Sequence, residues 1–127
     1  MAKKTILMID RDAYYAGIYA NRFEAAGWKV WVEDTITNAR KRLKRSVPDV
    51  VIIDLDPLDD ALAFLKELRA DVRTASSLQI ALATLGDRQT MLKAQEAGVD
   101  SYLLKGHFVP SEAVKKVKRL LEEKTSV

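Results

Sequence analysis

The chain has 127 residues, enough for one ordinary domain whose core needs no staples. It has no cysteine, which excludes disulfides and thiolate metal sites and fits a reducing compartment. The 21 Lys and Arg against 18 Asp and Glu leave a net charge of +3, a mild excess whose placement matters more than its size. No apolar run approaches the ~20 residues that span a bilayer, and Met1-Ala2-Lys3-Lys4 leads into a strand, not a signal segment. The expectation is a soluble, cytoplasmic, single domain over residues 1–127, without repeats or linkers.

In chain order, strand and helix alternate five times. Thr5 to Ile9 reads as a buried strand ending at Asp10. Asp12 is suited to cap a helix whose apolar face is Ala16, Tyr19, Ala20 and Phe23, at i, i+3, i+4 and i+7. Gly27 stops it, and Lys29 to Glu33 follows as a short strand, with Trp28 just before it and Trp31 within it. Thr35 opens a second helix through Ile36, Ala39 and Leu43, closed by the Pro48 turn.

Val50 to Ile53 is a run of four β-branched residues, which cannot alternate inside and out. Such a strand is covered on both faces, as in a parallel sheet between helices. Asp54 ends it. Asp59 or Asp60 then caps a third helix that faces inward with Ala61, Phe64, Leu65 and Leu68, and Thr74 to Ser77 is a polar loop. Leu78 to Ala83 is a fourth strand. Gly86-Asp87 turns into a fourth helix with a thin apolar stripe, Met91 and Ala94, ended by Gly98. Ser101 to Leu104 is a fifth strand ending at Lys105. Pro110, suited to a first helical position, starts the last helix, with Ala113, Val114, Val117, Leu120 and Leu121 inward and a short polar tail over 122–127.

Strands separated by helices make right-handed βαβ units and a parallel sheet, so all strand ends point the same way. Asp10, Asp54, the Ala83-Thr84 pair and Lys105 then meet at one edge, the edge that faces ligands in open α/β sheets. Two carboxylates, a hydroxyl and an ammonium group suit phosphoryl chemistry. A carboxylate nucleophile needs a cation to hold the incoming oxygens, usually Mg²⁺ on neighbouring carboxylates plus a fixed Lys or Arg.

Over almost its whole length the chain resembles the receiver domains of the two-component response-regulator family. Ile6 to Asp10 is similar to the family's first strand, and Pro48-Asp49-Val50-Val51-Ile52-Ile53-Asp54 to its third. The most specific match is Glu96-Ala97-Gly98-Val99-Asp100-Ser101-Tyr102-Leu103-Leu104-Lys105. The resemblance implies a flavodoxin-like, doubly wound, five-stranded parallel sheet of order 2-1-3-4-5 with five helices. It places the phosphoacceptor on Asp54, the phosphate-contacting lysine on Lys105 and the aromatic switch on Tyr102. Mg²⁺ is implied on Asp10, Asp54 and Asp56, with Asp12 a further candidate. It implies a sensor histidine kinase or phosphotransfer protein as donor, and a downstream protein meeting the face of the fourth helix, fifth strand and fifth helix. No DNA-binding domain, no membrane partner and no enzyme activity beyond self-phosphorylation from a phosphodonor are expected.

The departures bear on activity. The second member of the family's acidic pair is Arg11. That swaps an attraction for Mg²⁺ for a repulsion, and Arg11 is expected to pair with Asp54 or Asp10, standing in part for the metal. The alternative is that Arg11 swings into solvent and Asp12 or Asp56 takes up the ligand role. Ala83 holds the place of the switch hydroxyl, so Thr84, one residue late, is the candidate displaced switch hydroxyl. The loop to Pro57 is one residue short, and Gly106 replaces the proline after the lysine, removing the main reason for a cis bond there. Weakened Mg²⁺ binding and switching follow from these changes.

Two other readings stand beside this one. A pseudo-receiver of the same fold would act as a phosphorylation-independent interaction module. Asp54-Leu55-Asp56 also resembles the nucleophile motif of haloacid-dehalogenase-type phosphatases, but it lacks that motif's following Thr or Val and sits on the wrong strand. The basic residues of the second and last helices read as solvated faces, having no interleaved aromatics, and His107 reads as a loop residue.

Overall fold

The all-apolar run Val50–Ile53 is buried in full, as a strand covered on both faces must be. A computed structural model describes residues 3–84 and 86–125. Its elements are β1 (Thr5–Ile9), α1 (Ala13–Ala25), β2 (Lys29–Glu33), α2 (Ile36–Leu43), β3 (Val50–Asp54), α3 (Leu58–Ala70), β4 (Leu78–Ala83), α4 (Arg88–Glu96), β5 (Ser101–Leu104) and α5 (Pro110–Thr125). The strands form one parallel sheet in the order β2-β1-β3-β4-β5. This is the doubly wound, flavodoxin-like order expected from the sequence.

The two-residue period of the strands sorts the core into two layers. Ile6, Met8, Val50, Ile52, Ile80 and Leu82 pack with Ala16, Ala20 and Phe23 of α1 and Val117 and Leu121 of α5. Leu7, Ile9, Val51, Ile53, Ala81 and Ala83 face α2, α3 and α4. Burying each Val, Leu, Ile or Phe contributes about 1.5–3 kcal/mol, so both layers hold the sheet firmly. Trp28 is interior, edge-on to Phe23 with ring centres 5.4 Å apart, while Trp31 is half-buried on the other layer.

The helix ends follow local chemistry, with corrections. Asp12, Thr35 and Asp87 cap α1, α2 and α4 through bonds from the Tyr15, Asn38 and Thr90 amides. Neither Asp59 nor Asp60 caps α3: Pro57 holds the cap position without a side-chain bond, and both acids lie in the first turn, where they favour the helix dipole. The peptide bond before Pro57 is cis. Gly27 and Gly98 follow α1 and α4 at φ +95° and +106°, a region that costs residues with a Cβ. Of the expected tail over 122–127, Glu122 to Thr125 continue α5, and residues 126–127 lie outside the described residues, as do Met1 and Ala2. The polar segment Thr74–Ser77 is anchored inside, Thr74 Oγ1 donating to Leu68 O and Ser77 Oγ to Pro48 O.

Candidate functional site

Because every strand runs the same way, the last residue of β3 and the residues following β1 and β5 share one edge. Lys105 Nζ donates to Asp54 Oδ2 at 2.8 Å and lies 3.1 Å from Asp10 Oδ2. The Asp10 and Asp54 side chains are 2% and 13% exposed and that of Lys105 16%, so the triad sits in a poorly screened pocket where each charge needs the others.

Backbone pairing fixes all three. Lys105 N donates to Ala83 O at 2.8 Å, extending the ladder one residue past β5, and Gly106 then turns the chain at φ +84°. Asp10 N donates to Glu33 O, and Asp10 Oδ1 accepts from Asp12 N at 2.9 Å. Asp10 Oδ2, buried, has no hydrogen-bond partner among the described residues, although the Lys105 ammonium is close by.

Burial pushes the Asp54 carboxyl above its ordinary range; the bond from Lys105 pulls it down, and the neighbouring Asp10 pushes it up again. For Lys105, burial alone would lower the pKa, but its bond to Asp54 and its ion pair with Asp10 outweigh that and raise it. The site therefore holds an ammonium ion that two acids lock in its charged form.

Arg11 does not join this triad. Its Nη2 donates to Asp56 Oδ2 at 3.1 Å, both side chains being mostly exposed. The expectation of an Arg11 pair with Asp54 or Asp10 is thus corrected: Lys105 already occupies the space between those carboxylates, and Asp56 is the acid within reach outside it. Asp12 is committed to its helix cap through the Tyr15 amide. Arg11, Asp56, Asp10 and Asp54 line a cleft of about 410 Å³ that continues between α2 and α3.

Thr84 is exposed beyond the end of β4. The register shows no slip: Leu82 pairs with Asp54 and Ala83 with Leu104. Tyr102 is half-buried against the layer of α2, α3 and α4, and burial followed by the Asp87 charge raises its hydroxyl pKa. His107 is an exposed turn residue whose amide bonds Leu104 O.

The sequence reading missed Tyr15. Its ring centre lies 4.6 Å from Lys105 Nζ, so an aromatic face supports the ammonium that the carboxylates hold. Tyr15 packs on Tyr19 with ring centres 4.8 Å apart, and Tyr19 OH donates to Phe108 O at 2.7 Å. Burial, then the bond with Tyr19, raises the Tyr15 hydroxyl well above its usual range. Two tyrosines from α1 thereby brace the Lys105–Phe108 turn, where no proline follows the lysine. Their i, i+4 spacing was visible, but nothing in it pointed at Lys105.

The fold matches that of known proteins. A response regulator from Thermotoga maritima superposes with a TM-score of 0.87 at 20% identity, over 95% of this chain and 99% of that one. A putative response regulator from Chloroflexus aurantiacus gives 0.85 at 28% identity, over 94% and 98%. The phosphate regulon transcriptional regulatory protein PhoB of Pseudomonas aeruginosa is 27% identical over 122 residues, 95% of this chain. This chain's structural neighbours are response-regulator receiver domains, and it shares their fold. No family model matches it. The chain spans about half the length of the curated relatives it matches, 53% and 48%. No helix among its described residues is long and apolar enough to cross a membrane.

No group of three or more His, Cys, Asp or Glu placed for a metal occurs among the described residues. Mg²⁺ asks less than that, since it keeps most of its water and often takes only one or two carboxylates plus phosphate oxygens. The unbonded Asp10 Oδ2 beside Asp54 meets this minimal demand.

Proposed function

We propose that this receiver accepts a phosphoryl group on Asp54 from a sensor histidine kinase or phosphotransfer protein in the cytoplasm. The signal would leave through the surface of α4, β5 and α5. The observation that carries the reading is the Lys105 ammonium held at 2.8 Å from the Asp54 carboxylate.

In the transfer, an Asp54 oxygen attacks phosphorus and a P–O bond forms. The P–N bond of the donor phosphohistidine breaks, and its imidazole leaves with the electron pair and takes up a proton. Lys105 moves from a carboxylate oxygen to the incoming phosphoryl oxygens, which carry the negative charge afterwards. Tyr15 keeps the ammonium on the site side of β5 during that exchange. Asp10 and Asp54 would hold Mg²⁺, with Asp56 in reserve behind its bond to Arg11. When bound, that ion neutralises charge on the phosphoryl oxygens. The Arg11 guanidinium at the cleft mouth opposes a second cation, which supports weak metal binding.

A second reading, a pseudo-receiver working without phosphorylation, is favoured by one observation: the residue at the end of β4 is the buried methyl of Ala83, and Thr84 is exposed. Incubation with a small acyl phosphate and Mg²⁺, followed by intact mass, separates the two. An adduct of about 80 Da, one HPO₃ on the carboxylate, that Asp54→Asn abolishes supports the phosphoacceptor. No adduct supports the pseudo-receiver, and continuous release of phosphate would point to a phosphatase.

A further inference from the structure

A second cleft, of about 630 Å³, opens between α1 and α5 at the end of the sheet where the strands begin. Trp28 and Leu121 lie along it, both buried, and Lys4, Arg22, Lys115 and Lys118 surround it, all exposed. None of these four cations forms an ion pair among the described residues. Glu122 is the one carboxylate among the lining residues. Four like charges gathered around one apolar depression repel one another unless an anionic partner arrives.

We propose that this cleft docks an acidic amphipathic helix of a partner protein. Its apolar residue would enter between α1 and α5, and its carboxylates would meet Arg22, Lys115 and Lys118. The shape argues for a helix. Ser111, Lys115, Lys118 and Glu122 line the cleft at i, i+4, i+7 and i+11, one stripe along α5. At 1.5 Å per residue that stripe extends roughly 16 Å, about three turns of a docked helix. An apolar depression within a basic rim is the complement of an amphipathic acidic segment. A nucleic-acid backbone would satisfy the rim and leave the depression unfilled, and a flat bilayer cannot enter it. The site lies a strand length, roughly 17 Å, from the Asp54 edge, so a partner bound here leaves that edge open. The proposal therefore stands whether or not Asp54 is phosphorylated.

The test selects displayed random peptides of about 16 residues, long enough for the ~16 Å stripe, on the full chain. Counter-selection uses the Lys115→Glu/Lys118→Glu variant, and Arg22→Glu probes the other wall. Expected winners combine Asp or Glu with a large apolar residue at helical spacing. They shift the Trp28 indole N–H and the Gly27 amide, and they lose about tenfold or more in affinity on charge reversal of either wall. The Asp54→Asn variant should bind them as wild type does. Winners without acidic residues, winners that leave Trp28 unshifted, or an absence of winners that distinguish the variants overturns the proposal. So does tighter binding of duplex DNA or phosphatidylglycerol vesicles through the same cations.

Discussion

Arg11 reaches Asp56 and leaves Asp54 to Lys105: the guanidinium lies 3.1 Å from the Asp56 carboxylate at the mouth of the site cleft. A cation that already has a partner outside the triad still raises the potential where Mg²⁺ would sit. Arg11→Asp changes the local charge by two and frees Asp56. Mg²⁺ affinity should rise by about tenfold or more, since ~1.4 kcal/mol at a few ångströms is a modest Coulomb term near a surface. Titration followed by amide shifts around Asp54 measures it, and an unchanged affinity would show that Arg11 does not control the metal.

Lys105 is the keystone of a buried charge cluster. Lys105→Met leaves Asp10 and Asp54 facing each other without a counterion, at a cost of about 3 kcal/mol. The pH dependence has a definite sign. Asp54 has a folded pKa above its ordinary 3.8, so the folded state holds more protons in that interval and stability falls as pH rises through it. Removing Lys105 removes the pull downward, which widens the interval. Denaturant unfolding should show a larger loss at about pH 8 than at about pH 5.

Asp100 works the other way. Burial would raise its pKa, but the Gln79 amide, Arg69 and Lys124 outweigh that and hold it below its ordinary 3.8. Its contribution to stability is present above that value and disappears as pH falls through the depressed folded pKa. Asp100→Asn should therefore cost about 1–2 kcal/mol at neutral pH, and the difference from wild type should close in acid.

Two glycines give opposite predictions. Gly17 sits inside α1 with nothing within 4 Å of an added Cβ, so Gly17→Ala should stabilise by about 0.5–1 kcal/mol. Gly98 has φ +106°, and its Cβ would lie 3.1–3.3 Å from Arg69, whose guanidinium donates to Gly98 O. Gly98→Ala should destabilise by about 1–2 kcal/mol or more through backbone strain and displacement of Arg69. Thermal melts of the pair decide both.

The strands were legible because β-branched and apolar runs such as Val50–Ile53 carry their own burial, and parallel topology alone gathered Asp10, Asp54 and Lys105. The cap at Asp12 and the helix starts at Thr35 and Gly86-Asp87 were legible for the same local reason. Long-range choices were not. Whether Arg11 meets Asp54 or Asp56 depends on how two loops far apart in sequence approach each other. The Tyr15 contact with Lys105 depends on how α1 lies over the last strand. Asp59 and Asp60 offered good capping chemistry, but Pro57 takes the cap position and leaves them within the first turn.

One property of the sheet surface bears on motion. The strand face beneath α4 presents Ala81 and Ala83, and α4 buries only Ala94 of its own residues, whereas α3 buries Ala61, Phe64, Leu65 and Leu68. Methyl against methyl gives a smooth, shallow contact, at about 0.8 kcal/mol for each buried CH₂-sized group. The helix can therefore rotate or slide over the sheet without dragging a large side chain out of a socket. Amide hydrogen exchange should run about tenfold or more faster in α4 than in α3. A carrier so lightly fastened moves for a small push, whichever end of the molecule delivers it.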